Sequence, residues 1–320
     1  MDKRNQNILI IFETHMNDRY DYFSKKNNLK VFNANLNNNS GRNILIDFFE
    51  KIKFKKELLN KYDSLKTFII DNRLKSEDFK IYVSNSEGYV AHNFLKFLQK
   101  DFPTLEIIAM QHGIMPLYVN VWKMRVRTFI NQFLYYIFGI YLYGTGFGIK
   151  LANKYIVYNK TYKEILLQFG WRSEDIIVNY KFLKPDLYDY YITHKTLKKE
   201  DNDIAIFLPQ CLSLAKICTQ KEERELHIKA IDYIAKKHKK VLIKLHPACN
   251  NIDFVLKQNI EFINDLKQGF LLSSCAYSFF STALLDAQIF DVKTIAFKSK
   301  LFDKKNDLAI YDLFSAVEVI

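Results

Sequence analysis

Short apolar runs alternate with longer amphipathic stretches along the whole chain, and residues typical of turns separate them. A short apolar run bounded by turn residues is typical of a buried strand, whereas apolar residues at three- and four-residue spacing indicate a helix. Strands that alternate with helices pair in parallel and are covered by the helices. The alternation therefore predicts an α/β fold.

The predicted elements fall into two sets. Strands of the first set are expected at residues 8–12, 30–32, 80–83, 107–110, 154–157 and 176–178, with helices at 44–62 and 89–100. Strands of the second set are expected at 204–208, 240–245, 276–280 and 294–297, with a long helix that ends near Lys237. Each set is sufficient for an independent α/β unit.

Residues 186–203 separate the two sets and are rich in Tyr, Lys and Asp, with weak periodicity. We interpret them as the connection between domains. The chain has 320 residues, and a typical domain has about 100 to 200. We therefore predict two Rossmann-like domains, one at 1–190 and the other at 191–320.

The net charge of +12 comes mostly from lysines scattered along the chain. Such a diffuse positive field favours anionic partners, but no zinc-finger, RNA-recognition or helix-turn-helix signature accompanies it, so nucleic acid is not expected. The cysteines lack metal-site and disulfide-framework spacing and are expected to be reduced thiols; they are Cys211, Cys218, Cys249 and Cys275. The first residues resemble a strand more than a signal peptide, which predicts a cytoplasmic protein.

Residues 128–149 carry no charge, and a membrane span needs about 20 apolar residues. Asn131, Gln132, four tyrosines and four glycines make the segment poorly suited to lipid, and basic residues flank both of its ends. Three alternatives stay open. The segment is a buried or domain-interface helix followed by a glycine-rich turn, an interfacial contact with a membrane surface, or a true span.

Ligands of open α/β sheets bind beyond the carboxyl ends of the strands, so residues that directly follow predicted strands are the first candidates. Glu87 follows the strand at 80–83 and precedes a helix. Its carboxylate could act as a general base on a hydroxyl group within hydrogen-bond reach. Alternatively, it is an acidic residue that only stabilises the helix dipole.

His246 follows the strand at 240–245, and Pro247 ends that strand and restrains the backbone there. The imidazole could donate a proton or a charged hydrogen bond to a departing phosphate, and Lys244 could add a second cation. The alternative is a core or surface histidine without such a role.

Ser281 and Thr282 begin a helix directly after the strand at 276–280, which contains Ser278. The N-terminus of a helix has free backbone N–H groups, and the neighbouring hydroxyl groups add donors for a phosphate. Simple N-capping by Ser281 or Thr282 is the alternative.

Gln111, His112 and Gly113 follow the strand at 107–110 and would open on the same cleft, where they either contact a ligand or hold a loop. The turn after the first strand has no glycine fingerprint, and no Walker sequence is present. The triplet at 201–203 precedes a strand instead of following one. We therefore expect no bound metal ion and no cofactor.

Together, Ser86-Glu87-Gly88, His246-Pro247 and Ser281-Thr282 resemble motifs of the bacterial GT-B sialyltransferases and polysialyltransferases. That family has an acidic-acidic-Gly motif in the first domain, and an HP motif and a paired Ser/Thr motif in the second. Ser86 departs from this pattern because it replaces the first acid. The resemblance implies a GT-B-like fold, in which two Rossmann-like domains face each other across a cleft.

The resemblance also implies a chemistry. Glu87 would be the general base, and His246 would contact the phosphate of a departing CMP. Lys244, Pro247, Ser278, Ser281 and Thr282 would complete the nucleotide site, and Gln111, His112 and Gly113 would contact the donor or acceptor sugar. The first domain would bind a glycan acceptor and the second a CMP-linked nonulosonic sugar, whose transfer would invert the anomeric carbon.

Two alternatives to this function remain at this stage. One is a transferase of glycerol or ribitol phosphate from a CDP-linked donor, because its phosphate-binding half would look the same. The other is a non-catalytic protein of glycan assembly at the membrane surface. An enzyme of this kind would work in the cytoplasm or at the inner face of the cytoplasmic membrane.

Overall fold

The computed structural model describes residues 7–12, 17–36, 44–72, 79–84, 86, 88–111, 121–142, 150–198, 203–214, 217–246, 258–279, 281–302 and 314–320. Within these ranges the chain forms two six-stranded sheets, and every pair of neighbouring strands is parallel. Helices connect the strands. The prediction of an α/β fold is confirmed.

The first sheet has the strand order β2-β1-β3-β4-β5-β6. Its strands are β1 (Ile8–Ile11), β2 (Lys30–Asn33), β3 (Lys80–Val83), β4 (Glu106–Met110), β5 (Lys154–Val157) and β6 (Ile176–Val178). Its helices are α1 (Asn17–Lys26), α2 (Ile44–Asn72), α3 (Tyr89–Asp101), α4 (Val121–Phe138), α5 (Lys160–Gln168) and α6 (Tyr180–Leu183), and a 3-10 turn spans Ser173–Asp175. The order reverses between β1 and β3, which makes that pair the switch point of the sheet.

The second sheet has the strand order β12-β11-β10-β7-β8-β9. Its strands are β7 (Ile204–Phe207), β8 (Lys240–Ile243), β9 (Ile260–Phe262), β10 (Cys275–Ser278), β11 (Lys293–Lys298) and β12 (Ala316–Val319). Its helices are α7 (Pro185–His194), α8 (Gln220–Lys237), α9 (Leu266–Leu272) and α10 (Thr282–Gln288), with 3-10 turns at Lys195–Leu197 and Lys300–Phe302. This is the order of the dinucleotide-binding Rossmann fold, with the switch point between β7 and β10.

The two sheets belong to two compact units that divide between Pro185 and Asp186. Helix α7 therefore starts at this division, inside the stretch for which the sequence predicts an irregular connection. Tyr190 and Tyr191 of α7 contact Phe290 with ring centroids 6.3 and 5.4 Å away. These contacts fix α7 to the second unit, and the domain bounds 1–190 and 191–320 stay a prediction.

Most of the strands that the sequence predicts have buried side chains, although the predicted edge strands β2 and β6 are largely half-buried or exposed. All four residues of β1 are buried, as are the last three of β7 and β8. The sequence does not indicate the edge strands β9 and β12, because Glu261 and Glu318 interrupt their short apolar runs. Edge strands of this kind carry the weakest hydrophobic signal.

Helix α4 contains the first half of the uncharged stretch, residues 128–138. Its end is set by Gly139, which has a left-handed φ of 70° that favours glycine, and the Lys55 Nζ donates to the last carbonyl, that of Phe138, at 2.6 Å. Much of the helix surface is exposed, so α4 is not buried on all sides. The alternatives of a domain interface and of a membrane-surface contact stay predictions. No helix within the described ranges is both long and apolar enough to cross a bilayer.

Two asparagine side chains fix the chain around α4. Asn93 of α3 donates to the carbonyl of Tyr141 at 2.8 Å and accepts from its N–H at 2.7 Å. Asn131 of α4 accepts from the N–H of Leu142 at 3.1 Å. Both asparagines are completely buried, so their hydrogen bonds satisfy backbone groups that water does not reach.

We predict that Asn93→Ala lowers the free energy of unfolding by about 2 to 4 kcal/mol, because it leaves a buried N–H and a buried carbonyl without partners. Chemical denaturation of the purified variant measures the change. Asn60→Ala, at an exposed position of α2, is the matched control and should stay within about 0.5 kcal/mol of the parent protein. Equal stability of the two variants would contradict the role given to Asn93.

Candidate functional site

The loops after β7 and β10 meet at the switch point of the second sheet. The Oγ of Ser278, the last residue of β10, donates to the carbonyl of Leu208 at 2.6 Å and lies 3.4 Å from the Oε1 of Gln210. Ser278 is completely buried. Its hydroxyl therefore joins the carboxyl ends of the two strands at the place where this fold binds ligands.

A carboxylate of α8 orders the loop that follows β7. Glu223 accepts hydrogen bonds from the N–H of Leu212 at 2.7 Å, from the N–H of Ser213 at 3.2 Å and from the Ser213 hydroxyl. Helix α8 itself begins with a capping box formed by Thr219 and Glu222. The loop that borders the switch point is thus held in one conformation by a rigid helix.

His246 lies beyond the carboxyl end of β8, the strand next to β7, and its side chain is exposed. Its Nδ1 lies 3.9 Å from the Sγ of Cys211 in the loop after β7. The structure therefore brings the loops of these two strands together at one edge of the sheet. A role of His246 toward a leaving phosphate stays a prediction.

Cys211 is disulfide-bonded, whereas Cys218 and Cys275 are free thiols. The expectation of reduced thiols is therefore wrong for Cys211. Cys249 lies outside the described residues.

Lys244 directly follows β8 and is half-buried. Its Nζ donates to the carbonyl of Leu245 at 2.9 Å, and its N–H donates to the carbonyl of Phe207 at 3.1 Å. The side chain thus stabilises the turn that leads to His246. Contact of Lys244 with a nucleotide stays a prediction, and Pro247 lies outside the described residues.

Ser281 is the N-cap of α10, and its Oγ accepts from the N–H of Ala283 at 3.2 Å. Thr282 is the first residue of that helix. Both side chains are half-buried and follow the strand that ends in Ser278. Capping by Ser281 is therefore confirmed, and phosphate binding by the pair stays a prediction.

His227 of α8 lies below the loop after β7, between two phenylalanine rings. Its ring centroid is 6.0 Å from that of Phe207 and 5.7 Å from that of Phe279. Burial lowers the pKa of His227 to about 4, although Glu223 and a hydrogen bond to the backbone of Gln210 act in the opposite direction. His227 is therefore neutral at physiological pH, and its packing supports the floor of the switch point.

The corresponding position of the first unit is the loop after β3. The Oγ of Ser84 accepts from the N–H of Phe12 at 3.1 Å, and the hydroxyl of Tyr20 donates to the Ser84 carbonyl at 3.3 Å. These bonds join the ends of β1 and β3. Gly88 is the N-cap of α3 and has no side chain for capping, while Glu87 lies outside the described residues.

Gln111 directly follows β4 and is completely buried. Its side-chain Oε1 accepts from the backbone N–H of Tyr158 at 3.0 Å, and its backbone N–H donates to the carbonyl of Ile156 at 2.9 Å. The side chain therefore holds the end of β4 against the end of β5. Contact with a sugar stays a prediction for Gln111, and His112 and Gly113 lie outside the described residues.

Hydroxyl, amide and imidazole groups dominate the switch point of the second sheet. Such groups can donate hydrogen bonds to phosphate oxygens, and the exposed imidazole can in addition transfer a proton. Within the described ranges, no group of three or more His, Cys, Asp and Glu side chains could hold a metal ion. Metal independence stays a prediction.

No protein-family model matches this sequence, and no curated protein matches it. Among solved structures, the UDP-GlcNAc 2-epimerase of Neisseria meningitidis bound to UDP-GlcNAc is similar, with a TM-score of 0.47 and 12% identity over 91% of this chain and 82% of that one. Anabaena HepE in complex with UDP and glucose has a TM-score of 0.44 and 12% identity, over 92% and 81% of the two chains.

A variant of the wall teichoic acid polymerase TagF has a TM-score of 0.48 and 12% identity, over 97% of this chain and 74% of that chain. Similarity at this level assigns neither a family nor a reaction. The fold class rests on the two parallel sheets and their strand orders. The resemblance of three short motifs to sialyltransferases stays a prediction.

We predict that the buried state of His227 makes stability depend on pH. The pKa falls from 6.5 in the unfolded chain to about 4 in the folded one, so the unfolded state binds more protons between these values. The free energy of unfolding should therefore fall as the pH is lowered from 6.5 to 4, by at most about 3 kcal/mol from this group. Denaturation curves at several pH values measure it.

His227→Gln removes the titrating group and should reduce the loss of stability in this pH range. If His227→Gln and the parent protein showed the same pH dependence, the buried neutral state of His227 would be disproved.

Proposed function

We propose that this chain is a metal-independent glycosyltransferase that binds a nucleotide-linked sugar beyond the carboxyl ends of β7, β8 and β10. One observation carries the proposal. The second sheet has the strand order of the dinucleotide-binding fold, and Ser278, Ser281 and His246 all stand at the carboxyl ends of its central strands. In open α/β sheets this edge, at the switch point, is where nucleotides and phosphates bind.

The chemistry of the side chains at this edge supports a phosphate-bearing ligand. The hydroxyls of Ser281 and Thr282 can donate hydrogen bonds to phosphate oxygens without adding charge. His246 is exposed beyond the carboxyl end of β8. A protonated imidazole at this position would stabilise the charge that develops on a departing phosphate. The net charge of +12 attracts anionic ligands in general, which also supports an anionic donor.

For the donor we propose a CMP-linked nonulosonic sugar, on the ground of the three motifs that resemble sialyltransferases. Such a sugar departs through a transition state with positive charge on the ring, so the enzyme has two tasks. It stabilises the leaving phosphate, which we assign to His246 with Ser281 and Thr282, and it deprotonates an acceptor hydroxyl, which we assign to Glu87. Attack from the opposite face inverts the anomeric carbon.

The acceptor in this proposal is a hydroxyl group of a bacterial surface glycan, bound by the first unit. The reaction takes place in the cytoplasm or at the inner face of the cytoplasmic membrane.

A donor screen tests this function. We expect purified protein to release CMP from a CMP-linked nonulosonic sugar in the presence of oligosaccharide acceptors, and to leave CDP-glycerol intact. Free nucleotide is measured by chromatography. Glu87→Gln should stop transfer and retain nucleotide binding, because it removes the base and leaves the second unit unchanged.

Turnover of CDP-glycerol without release from any CMP-sugar would replace the proposal by a polyol-phosphate transferase. Binding of no nucleotide at all would favour a non-catalytic protein of glycan assembly. Full activity of Glu87→Gln would remove Glu87 from the mechanism but would leave the donor assignment intact.

We further predict that His246→Ala lowers kcat by about 100-fold or more, since loss of one group that stabilises transition-state charge typically has this effect. The side chain is exposed, so the fold should tolerate the change. The control is Lys239→Ala, an exposed residue at the opposite, amino end of the same strand β8, which should retain full activity. Equal rates for the two variants would exclude a role of His246 in the reaction.

A further inference from the structure

Helix α4 turns large apolar side chains away from the protein. The exposed fractions of Trp122, Phe129 and Tyr136 are 72%, 71% and 88%. Soluble monomers rarely expose contiguous apolar patches of such residues without a binding role. We call the exposed stripe of this helix the α4 apolar face; it consists of Trp122, Val126, Phe129, Phe133, Tyr136 and Ile137.

From Trp122 to Tyr136 the members of the α4 apolar face follow one another at three- or four-residue spacing, and Ile137 lies four residues after Phe133. They therefore lie on one side of the helix. The opposite side carries Asn131, which is completely buried and bonded to the N–H of Leu142. Tyr135 on that inner side contacts Tyr141, with ring centroids 4.6 Å apart. The helix is therefore attached to the first unit by its inner side, and within the described residues its apolar side is exposed.

The charges of α4 are all positive. Its sequence contains Lys123, Arg125 and Arg127 and no acidic residue, and both arginines are exposed. The neighbouring helix α2, whose Lys55 bonds to the carbonyl of Phe138, also exposes Lys53 and Lys56. Among its described side chains, the exposed acids are Glu57, which directly follows Lys56, and Asp63 and Asp71 in later turns. A surface with an apolar stripe, aromatic rings and cations matches the interface of a bilayer that contains anionic lipids.

A second copy of this chain is a less suitable binding partner for the α4 apolar face than an anionic bilayer. It would bring the same cations and no carboxylate from its own α4, so like charges would meet without compensation. A span is also excluded for α4, because its inner side is packed on the first unit and its first half carries three cations. The helix can lie only in the plane of a membrane surface.

We propose that α4 docks the first unit on an anionic lipid bilayer. The α4 apolar face enters the boundary between head groups and acyl chains, and Arg125 and Arg127 bind lipid phosphates. This inference stands on the geometry of α4 alone and does not depend on the proposed transferase activity.

Vesicle sedimentation with the full chain tests the proposal. The protein should bind vesicles that contain phosphatidylglycerol, and it should bind pure phosphatidylcholine vesicles much less. The triple variant Trp122→Ser, Phe129→Ser and Phe133→Ser should lower the partition coefficient at least about tenfold, because it removes the largest apolar groups. Arg125→Gln and Arg127→Gln should each lower it about fivefold at low salt.

The second unit offers a matched control. Leu197, Leu214 and Val319 are exposed to a similar degree, at 64%, 67% and 74%. Their combined change to Ser removes comparable apolar surface far from α4 in the sequence, and it should leave vesicle binding unchanged. Circular dichroism of each variant establishes that it is folded.

Tryptophan emission gives an independent measurement at α4 itself. The chain has two tryptophans, of which Trp122 is exposed and Trp171 is buried against Tyr155. In a Trp171→Phe background, Trp122 alone reports, and its emission should shift to shorter wavelength when anionic vesicles are added. Lipids brominated near the head of the acyl chain should quench it.

Equal vesicle binding by the parent protein and the α4 triple variant would overturn the proposal, as would unchanged Trp122 emission. A dimer in sedimentation velocity that the triple variant abolishes, in the absence of vesicle binding, would also overturn it and would identify a second copy as the partner. Loss of membrane binding with unchanged transfer to a soluble acceptor would support the proposal and leave the proposed function untouched.

Discussion

The parallel pairing of β7 with both β8 and β10 is the constraint on which the functional part of the second unit depends. Because the chain leaves these strands toward opposite sides of the sheet, their loops diverge and open a crevice at the carboxyl edge. Ser278 limits that divergence, since its buried hydroxyl bonds to Leu208, and Glu223 fixes the rest of the loop after β7. A ligand at this edge would meet groups that are already in place, which reduces the entropic cost of binding.

The central strands were predictable because parallel strands buried on both faces require continuous apolar runs. Strands β9 and β12 were not, since Glu261 and Glu318 interrupt their short apolar runs, whereas the predicted edge strand β6 has an uninterrupted one. Helix α7 was missed because its aromatic residues are followed by a Lys-rich stretch that weakens the periodicity. For α4, the segment is apolar on more than one side, and periodicity cannot tell which side the protein covers.

The candidate site was predictable where a residue follows a strand directly, as Ser278 and His246 do. Gln210 and Cys211 also follow a predicted strand, but no motif in the sequence singles them out, and Glu223 lies in a helix, where the rule does not apply. Glu223 acts from a helix on a loop that precedes it in the chain, and Cys211 approaches His246 only because β7 and β8 are neighbours in the sheet. The signal for such residues lies in tertiary contacts, which no local pattern contains.

The hydrogen bond from Lys55 to the last carbonyl of α4 makes the two ends of this helix electrostatically different. It neutralises the negative end of the helix dipole inside the protein, whereas the positive end lies beside Lys123, Arg125 and Arg127. The electrostatic potential around α4 is therefore more positive at the first half of the helix than at the second. An anionic surface that approaches the protein would attract the first half of the helix before the second, and the molecule would turn to present Trp122 ahead of Tyr136.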